Sequence, residues 1–199
     1  MDELKRRILA EGIAVGEGLL RVDSFLNQQV DPALMAAIGR EFAQLAAPLS
    51  PDRIATAEAS GIAPALATAQ AMSLPLTIFK KAARPPEGEG FLSEEVASFT
   101  KREPYRLTVR AEYVPAGARV LFVDDFLAAG EAARGAVRLI EAGGAIVAGL
   151  CFAVEKAFQG GRERLAGAGY AGPILSLARI ARLTPRIEFL SLRDGHSAG

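Results

Sequence analysis

The chain has 199 residues, half of them apolar and 23% charged, which is enough to build a core without disulfide staples and fits one domain. Its 23 Lys and Arg balance 23 Asp and Glu, so there is no basic surplus to neutralise a phosphate backbone, and a nucleic-acid partner is disfavoured. Any anionic ligand must be held by a local site. The single cysteine, Cys151, lies in an apolar run and reads as a small core residue. Met1-Asp2-Glu3-Leu4-Lys5-Arg6-Arg7 lacks the apolar stretch of a signal peptide. No run approaches the roughly 18 apolar residues of a membrane span, so the expectation is a cytoplasmic protein with no membrane partner.

Leu4, Ile8 and Leu9 fall at helical spacing among charges and predict an amphipathic helix over 2–11, broken by Gly12, Gly16 and Gly18. Residues 19–29 are mixed and read as a loop. Asp31-Pro32 is an N-cap followed by proline at the first helical position, opening a helix through Leu34, Met35, Ile38, Phe42 and Leu45 to Pro48. A strand over 53–57, a helix over 62–72 and a strand over 76–79 follow. Residues 82–104 carry Pro85-Pro86, Gly88, Gly90 and glutamates at 87, 89, 94, 95 and 103; with so little to bury they read as a lid or a disordered insertion. Tyr105, Leu107 and Val109 alternate with Arg106, Thr108 and Arg110, the pattern of a strand with one solvated face. A buried strand over 120–123, a helix over 132–141 closed by Gly143-Gly144, and a buried strand over 145–154 complete the pattern. Strands alternating with short helices predict an α/β fold: a twisted, mostly parallel sheet flanked by helices, with ligands outside the carboxyl ends of the strands. No linker divides the chain, so 1–199 reads as one domain, with 1–50 mainly helical and 51–199 the core.

The most informative string is Val120-Leu121-Phe122-Val123-Asp124-Asp125-Phe126-Leu127-Ala128-Ala129-Gly130-Glu131-Ala132. Four apolar residues end in two adjacent carboxylates, and a run of small residues then enters a helix. Small side chains let backbone N–H groups line a concavity at the positive end of a helix, which suits a phosphate. The acids suit sugar hydroxyls, or a Mg²⁺ ion carried in with the ligand. Glu58-Ala59-Ser60-Gly61 leaves the first parallel strand in a similar tight turn with exposed amides. Taken alone, such a Ser-Gly turn is common and structural.

Strand, acidic pair and small-residue loop resemble the phosphoribosyl pyrophosphate (PRPP) signature of type I phosphoribosyltransferases. The resemblance narrows over 20–32, 58–65, Ser98-Phe99-Thr100-Lys101, 124–128 and Val154-Glu155-Lys156-Ala157-Phe158-Gln159-Gly160-Gly161-Arg162, which are similar to the bacterial xanthine phosphoribosyltransferases nearly end to end. That resemblance implies the type I fold, with a small hood built mainly from the N-terminal segment and a flexible lid loop. It also implies that Asp124 and Asp125 act on the ribose, that Ala128, Ala129, Gly130, Glu131 and Ala132 hold PRPP, and that Ser60 and Gly61 take pyrophosphate. Leu20, Asn27 and Lys156 would contact xanthine, Lys156 at the 6-oxo group. Lys81 would reach the pyrophosphate site of a neighbouring subunit in a homodimer. Mg²⁺ would arrive bound to PRPP or pyrophosphate. Without the resemblance, Lys156 reads equally as a solvated strand-end lysine, Asn27 as a turn residue and Leu20 as packing.

One departure stands out. The family loop would carry Asn and Gln where this chain has Ala129 and Glu131; Glu131 brings a negative charge near a dianion, and its side chain is expected to turn to solvent or a cation. The readings left open are a transferase for guanine, hypoxanthine or adenine, and a PRPP-binding regulator without catalysis. Only about 50 residues precede the first sheet strand, too few for the DNA-binding module such regulators carry. His196, in a Ser/Gly-rich tail, reads as inert, and no His-Cys cluster suggests a structural metal site.

Overall fold

The computed structural model describes residues 1–97 and 104–190; the Ser98-Phe99-Thr100-Lys101 segment, Glu103 and His196 lie outside them. Helix α1 (Asp2–Glu11) buries Leu4 and Ile8. The stretch expected as a loop is instead a hairpin, β1 (Ile13–Val15) against β2 (Leu19–Arg21), followed by a π-helical turn over Asp23–Asn27 that buries Phe25 and Leu26. Strands of three residues are too short to leave a periodic trace. Helix α2 (Pro32–Ala46) opens as its N-cap predicts: the Asp31 carboxylate accepts from the backbone N–H groups of Ala33 and Leu34.

The remaining elements are β3 (Arg53–Ala57), α3 (Ile62–Met72), β4 (Leu76–Ala82), β5 (Phe91–Val96), β6 (Tyr105–Arg110), β7 (Arg119–Leu127), α4 (Glu131–Ala142), β8 (Ile146–Lys156), α5 (Gly161–Gly167), β9 (Ile174–Arg182) and β10 (Glu188–Phe189). Eight strands form one sheet in the order β10-β9-β8-β7-β3-β4-β6-β5. The middle five, β9 to β4, are parallel. The outer strands β6, β5 and β10 pair antiparallel.

Both faces of the sheet are covered, so its central strands are apolar throughout rather than alternating. On β7, Leu121 and Val123 face a core shared with α1, α2 and α3, while Val120 and Phe122 face a second core with α4 and β6. The β8 side chains divide the same way: Cys151 and Ala153 on one side, Leu150 and Phe152 on the other. Cys151 is wholly buried, and burial pushes its thiol far up, as expected of a packing residue.

Three expectations need correction. Residues 91–96 are a strand, not a structureless insertion: β5 pairs with β6 along its length and buries Val96. Strand β6 keeps its solvated face only in part: Arg110 is exposed and Arg106 half-buried, but Thr108 between them is not. Leu107, Thr108 and Val109 are all buried, and the Thr108 hydroxyl donates to the Lys80 carbonyl at 3.3 Å. Strands β4 and β7 run past their apolar stretches, β4 through Lys80 and Lys81 and β7 through the acidic pair to Leu127. Asp124 and Asp125 are therefore strand residues, 8% and 6% exposed, and not part of a solvent-facing terminus.

Phe122 locks the second core. It is fully buried, stacked on Phe79 at 6.4 Å between ring centroids and edge-on to Phe152 at 6.4 Å. Replacing Phe122 by Ala removes both aromatic contacts and leaves a cavity under the acidic pair, which should cost about 3–5 kcal/mol. Denaturant unfolding measures this; a loss below about 1 kcal/mol would show that the core collapses to fill the site.

Candidate functional site

Strands β8, β7 and β3 are neighbours in the sheet, so the loops leaving their carboxyl ends lie side by side. The β3 and β7 exits are in direct contact. The Ser60 hydroxyl donates to the Asp125 carboxylate at 3.0 Å, and the Asp125 N–H donates to the Asp124 carboxylate at 2.9 Å. Gly61 sits against the same pair: a Cβ there would come within 2.3 Å of Asp124 Oδ1 and 2.4 Å of Thr56 Oγ1. The β3 turn can close on the acids only because Gly61 lacks a side chain. Burial, followed by the neighbouring Asp125 charge, pushes the Asp124 carboxyl well above the ordinary carboxylate range.

Glu58 ties this turn to β4. Its carboxylate accepts from the Lys81 N–H at 2.7 Å and from Lys80 Nζ at 3.0 Å, and the Lys81 amide is the main reason its pKa is lowered. Lys80 is thereby engaged by Glu58. Lys81 is placed differently: its ammonium lies 5.3 Å from the Tyr105 ring centroid, a cation–π distance. Tyr105 enters the site from β6. Burial pushes its hydroxyl up to about 12, with the charges of Asp124 and Glu131 adding to the shift. Sequence reading gave Tyr105 only a strand position, since its proximity to these acids depends on β6 pairing beside β4.

The β7 loop runs from Ala128 to Gly130, which adopts φ 87° and begins α4 with no side-chain cap. Glu131 turns to a cation as expected: its carboxylate accepts from Arg134 Nη2 at 2.5 Å. The loop is backed by the start of α5. A Cβ on Gly130 would lie 3.1 Å from the Gly161 carbonyl oxygen, and a Cβ on Gly161 would lie 2.4 Å from the Ala128 carbonyl oxygen. The β7 and β8 loops therefore meet across a seam with no room for side chains.

At the end of β8, Glu155 is 2% exposed. Arg162 grips it with Nε at 2.9 and 3.0 Å and Nη2 at 2.8 Å, and Arg179 on β9 stands 3.1 Å away. Burial disfavours the charged carboxylate, but the Arg162 and Ser176 hydrogen bonds and both guanidinium charges outweigh it and hold its pKa low. This network fixes the loop that follows Lys156. The Lys156 ammonium donates to the Gly18 carbonyl at 3.0 Å and lies 5.7 Å from the Phe126 ring centroid. Gln159 Nε2 donates to the same carbonyl at 3.1 Å, so the tip of the N-terminal hairpin is pinned over β8. Burial lowers the Lys156 pKa against an opposing pull from the Asp125 charge.

The three base-contact candidates are placed unequally. Lys156 stands at the junction of hairpin and sheet. The Leu20 side chain is 5% exposed in the first core, which leaves its backbone as the part that can face a ligand. Asn27 closes the π-helical turn with its Oδ1 buried and unpartnered among the described residues. An unpaired buried acceptor is costly, and a ligand donor would relieve it.

Comparison with known proteins identifies the family. Residues 25–164 match the family described as phosphoribosyl transferase domain. A xanthine phosphoribosyltransferase from Exiguobacterium is 46% identical over 92% of this chain and 94% of its own. One from Streptococcus pneumoniae is 44% identical over 92% and 93%. Among solved structures, the adenine phosphoribosyltransferase of Rhodothermus marinus superposes with a TM-score of 0.72 over 90% of this chain and 99% of its own. At 19% identity that likeness shows the fold alone.

The raised pKa of Asp124 has a stability consequence. A carboxyl whose folded pKa lies above its unfolded one stabilises the fold only while protonated, so stability falls as pH rises from about 4, the unfolded value, through the folded one. Asp124→Asn keeps an acceptor for the Asp125 N–H and removes the ionisation. The variant should be more stable than the parent at neutral pH, with the difference vanishing below about pH 4. Thermal unfolding at the two pH values reads this, and a variant less stable at neutral pH would contradict it.

Proposed function

The chain belongs to the phosphoribosyltransferase family, and we propose that it transfers the 5-phosphoribosyl group of PRPP to xanthine, releasing xanthosine 5′-monophosphate and pyrophosphate. The observation that carries the reading is the junction of the β3 and β7 loops, where Ser60 and Gly61 close directly on Asp125 and Asp124. A pyrophosphate in the first loop and a ribose on the acids would then be adjacent, as they are in PRPP.

The backbone N–H groups at the start of α4, over 128–132, receive the 5′-phosphate. Asp124 and Asp125 accept hydrogen bonds from the ribose 2′- and 3′-hydroxyls. Those donors favour the ionised acids, whose charge also offsets positive charge building at the anomeric carbon as its bond to pyrophosphate breaks. The Ser60-Gly61 turn, with Lys81 contributed by the neighbouring subunit, holds the departing pyrophosphate. Among the described residues no group of three or more His, Cys, Asp or Glu forms a metal cage. Mg²⁺ would enter with PRPP, with Asp124 and Asp125 the residues able to offer it oxygens. When bound, Mg²⁺ neutralises diphosphate charge.

An imidazole-ring nitrogen of the base, entering partly deprotonated so that its proton is given up to solvent, attacks the anomeric carbon from the β8 side. There the Lys156 ammonium donates to the 6-oxo oxygen, Asn27 Oδ1 accepts a ring N–H, and the backbone at Leu20 completes the edge. An ammonium repels the 6-amino group of adenine, which favours an oxopurine. Residues 1–50 act as a hood over the base, and the protein works as a cytoplasmic homodimer in which Lys81 serves a neighbouring site. No helix among the described residues is long and apolar enough to cross a membrane.

Incubating the protein with PRPP, Mg²⁺ and each purine separately, then identifying the nucleotides formed, tests the reaction; outright preference for adenine would overturn the base assignment. Lys156→Met keeps the apolar stem and removes the donor. Xanthine use should fall by about 10- to 100-fold while PRPP affinity changes little. Equal weakening of both substrates would reduce Lys156 to a structural role.

A further inference from the structure

We propose that Arg134 sets the affinity for PRPP by neutralising Glu131, the only charged residue of the loop 128–132. This rests on the reading that the loop takes the 5′-phosphate. Glu131 is the first residue of α4, and its carboxylate sits at the helix end that the phosphate must approach. It is not turned away to solvent: its side chain is 21% exposed, and its charge bears on the Tyr105 hydroxyl inside the site. Without a counter-charge it would repel the dianion and compete for the same helix dipole.

Arg134 lies one turn further along and donates Nη2 to the Glu131 carboxylate at 2.5 Å. At 36% exposure its side chain also keeps contact with solvent. A guanidinium has five N–H donors in a planar fork. One edge stays on Glu131: in the free protein and in the complex alike, the arginine screens a carboxylate that would otherwise repel the phosphate.

An ordinary exposed i,i+3 ion pair would instead contribute only a few tenths of a kcal/mol to helix stability and nothing to ligand affinity. The two accounts separate at Glu131. A carboxylate in the first turn stabilises the helix through its dipole. Removing that charge should therefore lower thermal stability slightly yet strengthen PRPP binding.

The test is steady-state kinetics and thermal unfolding of the full chain and four variants: Arg134→Met, Arg134→Lys, Glu131→Gln and the double variant Glu131→Gln/Arg134→Met. Arg134→Met should raise the KM for PRPP about tenfold and leave the KM for xanthine within about twofold. Arg134→Lys should recover part of the loss. The double variant should return to within about threefold of the parent, since no carboxylate is left to neutralise. Glu131→Gln alone should lower the KM for PRPP.

An unchanged KM for PRPP in Arg134→Met, a parallel rise for both substrates, or a double variant no better than Arg134→Met would overturn the proposal. Should Arg134→Met fail to fold, an equal or higher KM for PRPP in Glu131→Gln decides against it. A parent protein that consumes no PRPP with any purine would remove the phosphate-loop reading itself. An active parent with indifferent variants would remove only the role given to Arg134.

Discussion

Two carboxylates side by side at the buried end of a central strand are the constraint around which this structure is arranged. Isolated, such a pair would be strongly unfavourable, because each charge loses water and repels the other. The fold responds with the Asp125 N–H on Asp124, the Ser60 hydroxyl on Asp125, and the nearby Lys81 ammonium, whose charge favours ionised Asp124. Each partner comes from a different element: the strand itself, the β3 turn and β4. Parallel β3 and β7, with β4 beside them, set the spacing that lets all three converge. Even so, Asp124 remains poorly compensated. Such strongly perturbed carboxyls cluster at binding and catalytic sites.

Most of the central sheet was legible because its strands are uninterrupted apolar runs and its helices carry caps that sequence alone reveals. Asp31-Pro32 and Gly143-Gly144 mark boundaries that the structure reproduces closely. What escaped depends on pairing. Thr108 looks polar in a pattern, yet is buried, its hydroxyl donating to the Lys80 carbonyl of the adjacent strand. Phe91–Val96 looks like insertion sequence, with Glu94 and Glu95 inside it, yet pairs residue for residue with β6. The acidic pair read as following the strand because hydropathy falls at Asp124, whereas the backbone continues as a strand to Leu127. Neither β9 nor β10 yielded an element to pattern reading, and Arg179 and Arg182 interrupt the apolar positions of β9.

For the site the division is similar. Adjacent acids and small residues announce the phosphoribosyl side, because their chemistry is local in sequence. The base side is assembled across the chain. Lys156 meets the carbonyl of Gly18, which lies 138 positions away, and Asn27 acquires its unpartnered oxygen only when the π-helical turn packs into the core. Tyr105 and Arg134 were missed for a further reason. Each reads as an ordinary strand or helix residue until its neighbours Lys81, Asp124 and Glu131 are placed around it.

The seam between Gly130 and Gly161 limits how this scaffold can diverge. Backbone meets backbone there, and the Glu155–Arg162 grip anchors the far side of the β8 loop. Neither loop can slide without opening a gap or forcing a clash, so the separation between the sugar-phosphate cradle and the base edge behaves as a fixed gauge. The opposite wall is looser: the hairpin meets Lys156 and Gln159 through one carbonyl oxygen, that of Gly18. Lineages adapting such a scaffold to a bulkier or differently decorated ring would therefore accumulate their changes in the hairpin and the π-helical turn, leaving the seam untouched.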